Sequence, residues 1–430
     1  MKKSMIALCV ICACGFALDY SFGGRAEAFG KFSFNDGKAN EADSINPSDS
    51  YASMFGALEW AVREGGLELA LGGALNTLAY DSTTAQGGTS LGNGYVGAWW
   101  GYRGNEGLET RRYILHNASI GFENSLFSFK AGRYETQGLD WFNAWNEGIQ
   151  VRINPINGSS WHLAAWGFYS NARAMVYNNW FWDYTRFSLA GEALGAGGVD
   201  LTFNTESTQT QFSAYGYYVP HRFSAPGVKL WLKILTHQFE AIGLFPRNAL
   251  NPTWYDGTQI TQDTILGNKF DRSTQTLFLK YQYGDDEQDN FYAGAMFYKN
   301  WGNANAWIGT YGDPFGGIVD IWTGSAYDKG ASLSDIVGRN ATSGMLYVGG
   351  VNYDINWQLL GRLTTSPRSD EQSIALTLTK EIIKDLRFRI KIEYFNDTTK
   401  AGYAVGNSPV LSQNQTNDRS HIMTWLLHTF

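Results

Sequence analysis

The chain of 430 residues carries 33 Lys and Arg against 40 Asp and Glu, a formal net charge of −7 at pH 7. This acidic balance argues against nucleic-acid binding, which requires a basic face. After the N-terminal segment, no stretch approaches the ~18 consecutive apolar residues of a membrane-spanning helix. Aromatic residues make up 15% of the chain and glycines number 49, a composition typical of a transmembrane β-barrel with alternating faces and aromatic girdles.

The first 17 residues have the pattern of a secretory signal peptide. Lys2 and Lys3 precede an apolar run, Met5 to Ile11, and a small-x-small motif, Gly15 to Ala17, follows it. Positive charge, a short apolar core and a small-residue cleavage site together mark a segment for export and removal. We therefore expect residues 1–17 to be removed and residues 18–430 to form one exported domain.

One alternative for this segment stays open. Ile11 to Gly15 resembles a lipobox, in which Cys14 would be lipidated and retained. All three cysteines of the chain, Cys9, Cys12 and Cys14, lie here. With cleavage after residue 17 the exported protein has no cysteine, which excludes disulfides, thiol catalysis and cysteine-bound metals.

Period-two alternation, the signal of a β-strand, begins directly after this segment. In the run from Tyr20 to Phe34, one face carries small and aromatic residues such as Phe22 and Phe32, and the other carries Arg25 and Glu27. The same alternation recurs at roughly 52–63, 66–78, 111–123, 125–135, 147–154, 160–170, 194–204, 207–219, 228–235, 238–247, 274–283, 290–300, 343–353, 355–365, 372–381, 385–395 and 420–430. With the first run included, the pattern predicts about 18 strands.

The links between these runs alternate in length. Long links lie near 35–51, 79–110, 136–146, 171–193, 248–273, 301–342 and 396–419, with intermediate links near 220–227 and 366–371. Short turns, such as Glu64-Gly65 and Tyr353-Asp354, lie between them. This alternation predicts antiparallel hairpins with short periplasmic turns and long extracellular loops. Residues 91–102 also resemble a strand, but one more strand would break the alternation, so we assign them to a loop.

The last run, His421 to Phe430, ends the chain on an aromatic residue, as outer-membrane β-barrels of Gram-negative bacteria commonly do. Hydrocarbon offers no hydrogen-bond partner, so an open sheet edge would leave backbone groups unsatisfied. We therefore predict that the first strand pairs with the last and closes the barrel. The same strand would be the signal for the barrel-assembly machinery.

The strand predicted at 385–395 shows most clearly which face meets lipid. The apolar residues of this strand are Leu386, Phe388, Ile390, Ile392 and Tyr394, and they alternate with Arg387, Arg389, Lys391 and Glu393. The opposite orientation would place three cations in lipid, at about 2–4 kcal/mol each near the midplane. The charged residues of this strand are therefore predicted to face the lumen.

The same reasoning assigns charged residues of other strands to the lumen. The predicted pore-lining cations are Arg25, Lys130, Arg152, Lys229, Lys233, Lys280, Arg362, Arg387, Arg389 and Lys391, and the predicted pore-lining carboxylates are Glu27, Glu381 and Glu393. Lys31 and Glu59 belong to the same class. A barrel of this size leaves an aqueous channel unless loops plug it. Rows of cations would attract anionic or carboxylate-bearing solutes; the alternative is that these charges pair with one another and only fill the barrel.

Tryptophan is concentrated at strand ends and in loops, at Trp99, Trp100, Trp141, Trp145, Trp180, Trp182, Trp301, Trp307 and Trp322. This distribution is typical of an interfacial girdle with packed loops, and an aromatic track for sugars or aromatic solutes is the alternative. The 301–342 link is longer than a turn requires, and Ser332 to Val337 favours a short helical turn. We expect this loop to fold into the lumen and narrow it.

Residues with catalytic or metal-binding chemistry are scattered. The histidines, His116, His162, His221, His237, His421 and His428, show no metal-ligand spacing. Ser119 follows His116 by three residues, but this is not a convincing nucleophile and base. We therefore expect no enzyme activity, metal or cofactor.

Five segments resemble one known family. They are Tyr20 to Lys31, Leu71 to Ala74, Ala79 to Thr83, Leu115 to Ala118 and Lys130 to Glu135. These segments are similar to the Helicobacter outer-membrane family, the Hof proteins, and the resemblance is strongest before about residue 185. It implies an outer-membrane barrel regarded as porin-like, without catalytic residues. The strand number and the row of cations also resemble the substrate-specific porins related to OprD, although fold similarity does not define a solute.

These observations predict an all-β protein, a transmembrane antiparallel β-barrel in the outer membrane of a bacterial cell. It would contact lipid and lipopolysaccharide, exist as a monomer or trimer, and pass small polar solutes with some preference for anions. The competing hypothesis is a surface adhesion or host-interaction protein whose barrel only supports its loops.

Overall fold

Antiparallel strands make up nearly all the regular structure of the computed structural model, which describes residues 18–34, 50–82, 96, 112–186, 192–249, 271–285, 289–302, 315, 336, 338–403 and 410–430. The strands in these ranges are β1 Asp19–Ser33, β2 Tyr51–Glu64, β3 Leu67–Asp81, β4 Tyr113–Glu123, β5 Phe127–Glu135, β6 Trp145–Asn157, β7 Trp161–Val176, β8 Phe181–Thr185, β9 Leu194–Asn204, β10 Thr208–Val219, β11 Phe223–Ile234, β12 His237–Leu244, β13 Arg247–Asn248, β14 Gln275–Tyr283, β15 Tyr292–Trp301, β16 Thr342–Asn352, β17 Ile355–Thr365, β18 Ser369–Ile383, β19 Leu386–Thr399, β20 Gln415–Asp418 and β21 His421–Thr429. Among the described residues, no helix has the length and apolar character needed to cross a membrane.

The strands form one closed antiparallel sheet. Each long strand pairs with the next one along the chain, and β1 pairs with both β2 and β21. β8, β13 and β20 are short strands that pair only with β7, β11 and β19. The remaining strands form a closed barrel of 18 strands, which confirms the predicted fold class.

Every strand predicted from alternation is present. The structure adds three short strands that were not predicted, β8, β13 and β20, and the other differences concern strand ends. β11 begins at Phe223 rather than near residue 228, and β18 begins at Ser369 rather than near residue 372. These added residues include Pro226, Asp370 and Glu371, which do not alternate between apolar and polar. Barrel strands extend beyond the hydrocarbon layer, where neither face must be apolar, so alternation does not mark their ends.

The barrel closes through the C-terminal residue. The amide of Gly24 donates to the carbonyl oxygen of Phe430 at 2.8 Å, and the amide of Phe430 donates to the carbonyl of Gly24 at 3.0 Å. Arg25 to Ser33 continue the pairing with His421 to Thr429. The predicted pairing of the first strand with the last is therefore confirmed.

Gly24 leaves the space that this closure needs. A Cβ atom at Gly24 would lie 2.7 Å from the carbonyl oxygen of Ala57 and 2.7 Å from the ring of Phe430. Gly24→Ala is therefore expected to lower the free energy of unfolding by about 1–3 kcal/mol, as overpacking usually does. Urea unfolding in lipid vesicles, followed by heat-modifiable gel mobility, measures the loss. Gly56→Ala is the control, because the nearest atom to its Cβ would be 3.9 Å away, and an equal loss in both variants would contradict this explanation.

Several loop predictions lie outside the described residues. These are the signal peptide at 1–17, most of the links near 35–51, 79–110, 248–273 and 301–342, and residues 404–409 within the link near 396–419. Residues 91–102 and Ser332 to Val337 lie outside them too, except for Val96 and Ile336, which are buried.

Candidate functional site

Two segments that connect strands fold into the barrel instead of extending away from it. We call residues 136–144, between β5 and β6, the inner strap, and residues 177–180, between β7 and β8, the inner hairpin. Their contacts reach strands that are not their neighbours in the wall, and only the interior of a closed barrel allows such contacts. Alternate residues of a strand share a face, so these contacts also show which side chains point inward.

The inner hairpin is bound to the wall formed by β1, β2 and β3. The Asn178 side-chain amide donates to Glu27 Oε2 at 2.6 Å. The Asn76 amide donates to the carbonyls of Tyr177 and Asn178 at 2.9 and 3.1 Å, and the Ser53 hydroxyl donates to the Asn178 carbonyl. These bonds satisfy the backbone of a turn that has left the sheet, so the hairpin is a fixed part of the interior.

Arg25 and Glu27 lie beside this hairpin on the inner face of β1. Arg25 Nε is 3.3 Å from Glu27 Oε1, its Nη2 donates to the Val176 carbonyl at 3.3 Å, and its guanidinium lies over the Phe55 ring. The Arg25 side chain keeps 34% of its surface exposed. It therefore faces open space while one carboxylate compensates its charge.

A second polar pair crosses the inner face of β3. His116 Nε2 lies 3.0 Å from Glu59 Oε1, although the two residues are on β4 and β2. Gly72 on β3 lies between them, and a Cβ there would be 3.0 Å from both Glu59 Cγ and His116 Nε2. The missing side chain at Gly72 thus allows the pair to form. Trp145 contacts the buried imidazole edge to face, with ring centroids 4.2 Å apart.

Tyr177 of the inner hairpin adds a neutral donor to this region. Burial is the largest cause that raises the pKa of its phenol above the ordinary value, and the neighbouring Glu135 carboxylate raises it further. The phenol therefore stays protonated and forms a hydrogen bond with Glu135. Together these groups form a polar wall with more carboxylates than cations on the β1 to β5 side.

The inner strap extends inside the barrel toward β10 and β11. Trp141 Nε1 donates to the Tyr215 hydroxyl on β10 at 3.0 Å, and Asp140 Oδ1 lies 2.8 Å from Lys229 Nζ on β11. Arg173 holds the end of the strap through the carbonyl and side-chain oxygens of Asn143, at 2.9 and 2.8 Å. The strap therefore crosses part of the lumen.

Arg387 and Arg389 lie on the inner face of β19. Phe29, which shares the inner face of β1 with Glu27, contacts Trp425 at 5.3 Å between ring centroids. Trp425 is therefore inward, and the Arg389 guanidinium lies over its indole at 4.8 Å. Since alternate residues share a face, Arg387 and Lys391 point inward with Arg389.

The inner face changes character along β19. Arg387 and Arg389, near the turn to β18, are exposed. Lys391 and Glu393, nearer the other end, are buried and lie 2.5 Å apart. The neighbouring β18 follows the same gradient, with Glu371 and Ser373 buried and Glu381 exposed. The interior is therefore packed toward the long-loop end and open toward the short-turn end.

The open end includes a cavity of about 740 Å³ against β3 to β6. Lys130, Gln150 and Arg152 line it together with Glu68 and Glu135. Lys130 pairs with Glu68 at 3.1 Å. This region offers charges of both signs to a solute.

Ion pairs between described residues include six of the ten predicted cations. The pairs are Arg25 with Glu27, Lys130 with Glu68, Arg152 with Asp200, Lys229 with Asp140 and Glu240, Arg362 with Glu371, and Lys391 with Glu393. Lys233, Lys280 and Arg387 form no ion pair within the described ranges, and Arg389 stacks on Trp425. Of the carboxylates, Glu27 and Glu393 are in pairs, and Glu381 accepts the Asp385 amide at 3.0 Å. Mutual pairing, the alternative given by the sequence, therefore accounts for six of these cations, and attraction of anions by the others stays a prediction.

The acidic partners are what the sequence prediction missed. Asp200, Glu240 and Glu371 lie on strands, and their positions on the alternating pattern mark them as inward-facing. Asp140 lies in the inner strap, where no periodicity indicates which way a side chain points. Its role depends on contacts that only the folded barrel creates.

Several tryptophans pack inside the barrel. Trp141, Trp145 and Trp180 are buried, which agrees with packing of folded loops. Phe315 of the 301–342 link is buried too and contacts Phe278 and Tyr298, at 5.4 and 5.2 Å between ring centroids. In the described ranges, no group of three or more His, Cys, Asp or Glu residues could hold a metal ion.

Comparison with known proteins agrees with this architecture. A family described as "Putative outer membrane protein" matches residues 5–430. OccAB1 of Acinetobacter baumannii has 10% sequence identity and a TM-score of 0.59, with 96% of each chain covered. OccK3 (OpdO) of Pseudomonas aeruginosa has 10% identity and a TM-score of 0.60, again with 96% of each chain covered. OpdK of Pseudomonas aeruginosa with vanillate has 8% identity and a TM-score of 0.55, covering 96% of this chain and 98% of that chain. At these identities the structures show a shared fold. No curated protein matches the chain.

Proposed function

The chain belongs to this Helicobacter-type family of outer-membrane proteins, and on that premise we propose that it is a channel for small polar solutes that favours anionic or carboxylate-bearing ones. Its place is the bacterial outer membrane, and its fold is that of the Occ and OprD porins. Membership of this family agrees with the expectation that the chain is not an enzyme.

The exposed cations on the inner face of β19 carry the proposal. Arg387 and Arg389 are exposed where the interior is open. An arginine keeps its charge at all physiological pH values. Fixed positive charges in a narrow aqueous path raise the local concentration of anions and lower that of cations.

Two further inward positions support the same preference. Lys233 and Lys280 lie on β11 and β14, and neither has an ion-pair partner in the described part of the chain. The carboxylates of Glu59 and Glu135 in the polar wall oppose this preference for anions, so the selectivity should be moderate. OpdK, which shares the fold, has been crystallised with vanillate, a carboxylate, so aromatic carboxylates are a suitable class of probe.

A bilayer recording of the purified protein tests the proposal. With a potassium chloride gradient across the membrane, we expect a reversal potential of the sign that indicates chloride preference. A reversal potential showing potassium preference would contradict the role of the exposed arginines. Absence of conductance in correctly folded protein would contradict the channel itself, and loss of surface binding with unchanged solute uptake after gene deletion would favour the adhesion hypothesis.

A further inference from the structure

Lys229 differs from the other predicted pore-lining cations because two carboxylates hold it. Its Nζ lies 2.8 Å from Asp140 Oδ1 and 2.7 Å from Glu240 Oε1. Glu240 belongs to the neighbouring strand β12, whereas Asp140 belongs to the inner strap. One cation between two carboxylates gives a triad with a formal charge of −1, so Lys229 adds no net positive charge to the lumen.

The ion pair with Asp140 joins the inner strap to a strand far from the two strands that the strap connects. The inner strap leaves the wall at β5 and returns at β6, whereas Lys229 lies on β11. Between β6 and β11 the wall passes through β7, β9 and β10, which is four strand spacings, or about 19 Å. Measured along the wall, Asp140 therefore meets its partner four of the 18 strand spacings from β6, and the strap crosses this part of the lumen as a chord.

A neutral contact beside the ion pair fixes the same part of the strap. Trp141 is completely buried and donates to the Tyr215 hydroxyl at 3.0 Å. Tyr215 reaches this position because Gly227 on β11 has no side chain; a Cβ there would collide with the Tyr215 ring. Asp140 and Trp141 are consecutive, so an ion pair and a hydrogen bond fix adjacent residues at the far wall.

From these contacts we infer that Lys229 is a positioning residue, which holds the inner strap across the lumen and so sets the width of the path. It does not act as a solute-contacting cation. The inference rests on the proposed channel function, since the width of the path determines the conductance. The anchoring of the strap by Lys229 can also be measured without transport.

Two variants with opposite changes of charge distinguish a positioning role of Lys229 from an electrostatic one. Lys229→Met removes a positive charge and Asp140→Asn removes a negative one, yet both break the same contact. We expect both variants to raise the single-channel conductance by about twofold, because both release the strap and widen the path. Lys233→Met is the matched control: it removes the same charge from the same face of β11, and Lys233 has no ion pair with the described residues. Its conductance should not rise.

Hydrogen exchange of peptides from residues 136–144 provides the readout that is independent of transport. Exchange there should become faster in Lys229→Met and Asp140→Asn, and stay at the wild-type rate in Lys233→Met. If Lys229→Met does not fold, Asp140→Asn, which changes a residue outside the barrel strands, still decides the question. Wild-type rates in both variants, or opposite conductance changes that follow the sign of the removed charge, would overturn the inference. Absence of conductance in the wild type combined with faster exchange in both variants would overturn the channel but keep the anchoring.

Discussion

Replacing Arg387 and Arg389 together by glutamine is expected to lower the chloride-to-potassium permeability ratio by up to about tenfold. Each exposed guanidinium attracts an anion at 4 Å in water by about 1 kcal/mol. Screening by salt lowers the sum for the two arginines toward about 1.4 kcal/mol, which corresponds to a tenfold change. Both side chains are exposed on the inner face, so the anion can approach them closely. The reversal potential under a potassium chloride gradient measures the change, and the shift should be larger at low ionic strength because salt screens exposed charges.

Lys384→Gln is the matched control for this pair. Lys384 lies in the turn between β18 and β19, in the same hairpin as the two arginines, and its side chain is 91% exposed. Its Nζ lies 4.0 Å from Oδ2 of the neighbouring Asp385. This variant removes a positive charge outside the barrel wall and should leave the reversal potential unchanged. Equal shifts in the control and in the double variant would show that overall charge, and not the inner face, controls selectivity.

Replacing Arg362 by methionine is expected to lower the free energy of unfolding by about 3–5 kcal/mol, the usual cost of leaving one member of a buried ion pair alone. The side chains of Arg362 and Glu371 are 3% and 2% exposed, and they form a direct ion pair. Thr364 accepts a further hydrogen bond from Arg362 at 3.1 Å, and the guanidinium lies over the Phe395 ring. Without the arginine, the Glu371 carboxylate would remain in this packed region without its main compensating charge.

Two comparisons test whether burial causes this loss of stability: a variant that lacks both charges, and an ion pair that is exposed. Arg362→Met with Glu371→Met removes both charges and should recover most of the lost stability, since an apolar pair of similar volume often replaces a buried ion pair without cost. Arg63→Met is the exposed comparison: the Arg63 side chain is 53% exposed and pairs with Glu68 at 2.7 Å. Its loss should be about 0.2–1 kcal/mol. Urea unfolding in lipid vesicles measures all four proteins, and equal losses for Arg362→Met and Arg63→Met would show that burial does not control the energy of the pair.

The alternation along β19 shows why so much of this fold can be predicted. Lipid on one side of a strand and a polar interior on the other require a residue type at every second position. The sequence of a strand that crosses the membrane therefore indicates which of its faces meets lipid, and Arg387, Arg389 and Lys391 share one face of β19 in the structure. Closure of the barrel follows from the same physics, because an unpaired strand edge in hydrocarbon is too costly. The hydrogen bonds between Gly24 and Phe430 pair the first strand edge with the last.

The contacts inside the barrel could not be predicted in the same way. Glu59 meets His116 across Gly72, and Asp140 of the inner strap meets Lys229 on β11. The first contact depends on Gly72, which has no side chain and lies on β3 between the two partners. The second joins residues separated by several strands. Neither leaves a periodic signal, since the interior of a wide barrel accepts polar and apolar residues alike.

The sequence by itself thus determined that the chain is a closed barrel and which runs build its long strands, because lipid imposes an alternation of residue types locally at every second residue. Only the tertiary structure decided which inward charges remain exposed, as Arg387 and Arg389 do, and which serve to hold the interior together, as Lys229 and Arg362 do. That division depends on where the inner strap and the inner hairpin lie. Their positions result from contacts between distant strands, which exist only after the barrel has closed.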